Sequence, residues 1–163
     1  MNTRNLTLAA LLAAIGTLTA HLVYIPAGVA KCFPIQHAIN VLAAVWLGPT
    51  QAVGIAFVIS LLRNLLGLGS LLAFPGSLIG ALLAGYIFRR TQLPAAAVAG
   101  EVFGTGILGG LLAFPMAKLL MGKETGAFFF IIPFFVSSLG GALIAYGLLK
   151  SGVLATFAKK TAD

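Results

Sequence analysis

Carboxylates are scarce in this chain: Glu101, Glu124 and Asp163 are the three acidic residues among 163, against ten lysines and arginines. Cysteine is scarcer still, and with Cys32 alone an internal disulfide or a cysteine-based metal framework is excluded. No phosphate-cradling Walker motif, no glycine-rich dinucleotide fingerprint, no H-E-x-x-H pair and no serine/histidine/aspartate arrangement is present. These absences exclude the common ATPases, oxidoreductases, zinc hydrolases and serine hydrolases, so no enzymatic activity, cofactor or metal is expected. Polar residues are also too few for a water-exposed surface. Charged side chains make up 8% of the chain and hydrophobic ones 60%, with mean hydropathy +1.09, a composition suited to a bilayer.

What fills the sequence is a series of apolar runs, many long enough to cross about 30 Å of hydrocarbon. Proline, glycine and charge divide them into six predicted spans: Leu6–Tyr24, Pro34–Leu47, Thr50–Leu68, Pro75–Phe88, Pro94–Met121 and Ala127–Leu149. The expected fold is an all-α integral membrane protein, one transmembrane domain over residues 1–163. The first run has the charge and apolar core of a signal peptide but a poor cleavage site, and is read as an uncleaved span. Pro34, Pro75 and Pro94 suit first-turn positions, whereas Pro115 and Pro133 predict kinks. Arg4, Arg89, Arg90, Lys150, Lys159 and Lys160 fall at the termini and the loop between spans four and five, which predicts both termini cytoplasmic in a multi-pass cell-membrane protein. The net charge of +7 is thereby explained by topology, without nucleic acid.

The remaining polar residues ask for a function. Gln36, His37 and Asn40 share one face of a helix beginning near Pro34, with Lys31 and Cys32 in the loop before it. Such a cluster is costly in lipid unless it faces a cavity. Arg63 and Asn64 stand late in the third span and Glu101 early in the fifth, so Arg63 and Glu101 must pair, face water or do work. Phe33, Phe74 and Phe114 are candidates to cover a flat ligand, with Phe33 and Phe74 as a sandwich. Trp46 reads as an interfacial anchor, and Phe128 to Phe130 as lipid-facing or core. Small residues recur at four-residue spacing, as in Ala9/Ala13, Ala10/Ala14, Gly76/Gly80/Ala84, Ala96/Gly100/Gly104 and Ser137/Gly141/Ala145, which permits close helix packing.

The runs AKCFPIQHAINVLAAVWLGP, from Ala30, and AVGIAFVISLLRNLLGLGSLLAFPGSLIGALLAG, from Ala52, resemble the ThiW family of thiazole-specific substrate-binding (S) components of energy-coupling factor (ECF) transporters. The resemblance implies a six-helix S component that binds hydroxyethylthiazole, a thiamin precursor, toward the outer side. It also implies partners: one transmembrane coupling protein and two cytoplasmic ATPases, on which the subunit docks and topples to deliver its ligand. Lys31, Cys32, Phe33, Gln36, His37, Asn40, Arg63, Asn64, Phe74, Glu101 and Phe114 are then the candidate ligand residues. In S components an A-x-x-x-A pattern on the first helix meets the coupling protein, and Ala9, Ala10, Ala13 and Ala14 fit it in either register. Two alternatives remain open from the residues: a stand-alone ion-coupled secondary transporter using Glu101, and a membrane scaffold without a ligand.

Overall fold

Proline sets where most of the helices begin. In the computed structural model, which describes residues 2–27, 30–122, 126 and 128–152, prolines open α2 (Pro34–Leu47), α3 (Pro49–Leu65) and α5 (Pro94–Val102). There the missing N–H breaks no helical bond. α1 (Thr3–Leu22) begins instead with Asn2, whose side-chain oxygen accepts the Asn5 N–H at 2.9 Å. α4 runs Ala73–Thr91, with Pro75 in its first turn. α5 continues through a π-helical stretch, Phe103–Gly109, into α6 (Gly110–Met121), so that one continuous helix covers Pro94–Met121. α7 is Ile131–Lys150, and Pro133 lies in its first turn, where it costs no bond. Pro115 is inside α6.

Among the described residues the regular structure is helical apart from a ribbon between α1 and α2, where β1 (Ile25–Ala27) pairs antiparallel with β2 (Ala30–Cys32). The sequence predicts an irregular loop there; in the structure Ile25 pairs with Cys32 and Ala27 with Ala30. Gly48 alone joins α2 to α3, and its φ of 88° is the left-handed backbone that a one-residue reversal requires. Lys123, Glu124, Lys159 and Lys160 lie outside the described residues, as does the side chain of Lys31.

α2 is the central helix, with 11 of its 14 residues buried and α1, α3, α4, α5 and α7 packed around it. Burial explains how a helix of about 21 Å carries polar groups. Trp46, near its end, is buried in this core and is not an interfacial anchor. The small-residue stripes bring backbones together: α4 meets the α5–α6 helix with Gly80 against Gly104 and Ala84 against Gly100, and Gly141 of α7 packs on Pro34 and Ala38 of α2. A Cβ added at Gly104 would stand 2.7 Å from the Gly80 Cα and 2.9 Å from its nitrogen, both backbone atoms that cannot swing away. Gly104→Val should therefore destabilise the protein by about 1–3 kcal/mol. Thermal unfolding in detergent checks this, and a midpoint equal to wild type would refute the packing argument.

Outside α2 the surface is strongly apolar. Leu18, Leu65, Leu119, Phe128 and Ile132 are each more than two-thirds exposed, and α1, α3, α4, α6 and α7 all present large apolar side chains outward. A monomeric soluble protein rarely exposes contiguous apolar surface on this scale. Among the described residues two helices, Pro94–Met121 and Ile131–Lys150, are long and apolar enough to cross a membrane.

Candidate functional site

At the end of the bundle nearest the ribbon lies a cavity of about 360 Å³. It is walled by the start of α2, the end of α3 and the loop after it, the starts of α4 and α7, and the end of α6. Because those segments converge, successive helices alternate in direction, which puts Arg89, Arg90 and Lys150 at the opposite end.

Two bonds fix the start of α2 against α7. The Phe33 N–H donates to Ser137 Oγ at 2.8 Å, and the Cys32 thiol donates to the Pro133 carbonyl at 3.2 Å. Phe33, Gln36 and His37 then face the cavity, while Cys32 is buried behind its wall. Gln36 is held by three partners. Its amide nitrogen donates to Ser77 Oγ at 2.8 Å and Ser60 Oγ at 3.1 Å, and its oxygen accepts from Arg63 Nη1. The Arg63 guanidinium also lies over the Phe33 ring, 3.7 Å from its centroid, a cation–π arrangement.

Beneath this layer sits Glu101, 0% exposed. Its Oε1 accepts from His37 Nδ1 at 2.8 Å, from Asn40 Nδ2 at 3.0 Å and from the Thr105 hydroxyl at 3.0 Å. A carboxylate only accepts, so His37 donates through Nδ1 and leaves Nε2 as its second polar atom. Asn40 also reaches Ser77 Oγ at 3.1 Å, and Thr105 lies 3.0 Å from the Gly76 carbonyl. The π-helical stretch carrying Thr105 turns that hydroxyl into the site, a setting in which such irregularities are common.

The predicted residues therefore divide. Phe33, Gln36, His37 and Arg63 line the cavity; Asn40 and Glu101 brace it from below. Asn64 donates to the Ser60 and Ser70 carbonyls at 2.8 and 3.1 Å, tying the cavity-lining loop Gly67–Ser70 to α3. Arg63 and Glu101 do not pair with each other; histidine takes the carboxylate instead. Phe74 stands 5.7 Å from Phe57 and is not on the cavity wall, nor is Phe114. The aromatic wall comes from Phe129, Phe130 and Phe134, with Met121. Sequence reasoning also missed Ser77, Thr105 and Ser137 as lining residues. Ser137 had a signal, since it heads the small-residue stripe of α7, but the others look like ordinary small helix residues. Among the described residues no three histidine, cysteine or acidic side chains gather as metal ligands. The arrangement is one of fixed hydrogen-bonding groups on one side and aromatic surface on the other, suited to holding a small, flat, polar molecule.

A family model described as "Thiamine-precursor transporter protein (ThiW)" matches residues 6–154. No curated protein and no solved structure gave a significant match.

Proposed function

Because the chain belongs to the ThiW family of thiamine-precursor transporter proteins, and so is a membrane transporter and not an enzyme, we propose that it is the substrate-binding S component of an ECF importer. In this reading residues 1–163 form one substrate-binding domain of six membrane spans with both termini cytoplasmic. The cavity binds hydroxyethylthiazole from the outer side. One transmembrane coupling protein and two cytoplasmic ATPases supply energy, and the subunit topples to deliver its ligand inward.

The observation that carries the reading is the cavity. Its volume of about 360 Å³ is at the small end of the roughly 300–1,000 Å³ usual for ligand sites. Phe129, Phe130 and Phe134 give a flat ring apolar surface, while His37, Ser77 and Thr105 offer polar groups for a ring nitrogen and a hydroxyl. Arg4, Arg89, Arg90 and Lys150 at the other end support a cytoplasmic assignment of that face. α1 packs on α2 and α3 at the edge of the bundle, leaving Ala10 and Ala14 exposed for a partner.

Thermal unfolding of the purified protein with and without hydroxyethylthiazole, together with mass spectrometry of any small molecule released on denaturation, tests the ligand assignment. A saturable rise in midpoint is expected, by the usual linkage of binding to stability. No shift with any thiazole, and no thiazole released, would reject it.

A further inference from the structure

Arg63 is 2% exposed, lines the cavity, and has no described carboxylate within ion-pairing distance. Glu101 is the carboxylate side chain among the described residues; its Oε1 is bonded to His37, Asn40 and Thr105, its Oε2 is buried without a partner, and it does not reach ion-pairing distance of Arg63. A guanidinium in a low-dielectric cavity without a counter-charge is costly, and a well-placed, hydrogen-bonded anion offsets part of that cost.

The way Arg63 is held shows which of its donors are available. Nη1 is taken by the Gln36 oxygen, one face of the planar group rests on Phe33, and Nε is buried with no partner. Stacking occupies a face and not the in-plane hydrogens, so the Nε–H keeps a bond that no described group takes. The Nε edge is one of the edges through which a guanidinium grips an oxyanion with two parallel bonds. Gln36 cannot turn away to relieve the site, because Ser60 and Ser77 hold its amide nitrogen.

We propose that the ligand form this cavity selects is a small heteroaromatic ring bearing an oxyanion, either a phosphate monoester or a carboxylate, received by the guanidinium of Arg63 while the ring lies on Phe129, Phe130 and Phe134. This rests on the thiazole reading above and deepens it: the preferred ligand is an anionic relative of the neutral alcohol.

The test compares four probes by calorimetry and thermal unfolding in detergent: hydroxyethylthiazole, its phosphate monoester, the analogue with a carboxymethyl arm in place of hydroxyethyl, and inorganic phosphate. One oxyanion form should bind wild type at least about tenfold more tightly than the alcohol, the effect of a charge-assisted hydrogen-bond pair. Which of the two does so identifies the oxyanion. Arg63→Gln should erase that preference, and Arg63→Lys should keep part of it. Wild-type protein that binds the alcohol as tightly as both oxyanion forms overturns the inference and leaves the thiazole reading standing. If none of the three thiazoles binds but inorganic phosphate raises the wild-type midpoint and not that of Arg63→Gln, the thiazole reading falls and the anion site stands. No response to any of the four rejects both.

Discussion

Glu101→Ala is expected to destabilise the protein by about 3–5 kcal/mol, the range for removing one partner from a buried, hydrogen-bonded pair. The carboxylate is 0% exposed and its Oε1 collects donors from His37 and Asn40 on α2 and from Thr105 one turn along its own continuous helix. Removing it leaves the buried His37 Nδ1–H without its acceptor and breaks the tie from α2 to the α5–α6 helix, while Asn40 keeps Ser77 and Thr105 keeps the Gly76 carbonyl. At about 2–4 °C per kcal/mol for a chain of this size, the midpoint should fall by roughly 6–20 °C. Glu101→Gln keeps an oxygen in the same place and should recover much of the loss, because the donors regain their acceptor even without the charge. A midpoint for Glu101→Ala within about 2 °C of wild type, less than 1 kcal/mol by the same conversion, would show that the network does not hold the helices. The same pair of variants bears on the ion-coupled alternative. A carboxylate that carries a coupling ion must exchange partners during transport, so Glu101→Gln would then abolish gradient-driven uptake in vesicles holding this chain alone. In the S-component reading there is no such uptake to lose.

Much of this site is visible in the sequence, for a physical reason. A glutamine, a histidine, an asparagine, an arginine and a glutamate are so costly in an apolar helical protein that each marks a polar interior, and the structure assembles all five into one network. The limits of α2, Pro34–Leu47, and of the long Pro94–Met121 helix are legible because proline and glycine bound them. The pairing is not legible. A rise of 1.5 Å per residue gives depth along a helix but no rotation about it, so Arg63 and His37 are equally plausible partners for Glu101 until α2 and α5 are docked. Hydroxyl residues are hidden for another reason. Serine and threonine satisfy themselves on their own helix, as Thr17 does on the Ala13 carbonyl at 2.9 Å, so Ser77 and Thr105 stand out only once their partners are known. The aromatic wall is misplaced because thirteen rings of Phe and Trp are spread through the chain, and residence in a helix does not tell cavity from lipid. Phe130 is buried on the cavity while its neighbour Phe128 is 71% exposed.

Ala10→Trp and Ala14→Trp are expected to abolish uptake while leaving ligand affinity within about twofold, as exposed substitutions away from a site usually do. The first-helix pattern fits two registers, and burial separates them. Ala13 is 8% exposed and packs in the core with Ala9 against it, so that register serves the bundle itself. Ala10 and Ala14 are exposed, and one turn beyond each stand Leu6 and Leu18, both mostly exposed. The four residues lie at i, i+4 spacing and make one strip, a shallow notch of two alanines between two leucines. Lipid gives helices little hydrophobic reason to associate, so close approach over small residues is a principal means of binding another helix. An indole at either alanine fills the notch and holds a partner helix away. The cavity is at the ribbon end of the bundle, on the other side of α2 and α3 from this strip, so its walls do not move. Trp at Ala9 or Ala13 should behave differently, unfolding the protein instead of uncoupling it. The measurement is three-part: ligand affinity and thermal midpoint in detergent, co-purification with the coupling protein and ATPases, and uptake in cells expressing all components. Full uptake and full co-purification by both Ala10→Trp and Ala14→Trp would mean that the strip faces lipid and that docking, if it occurs, uses another surface.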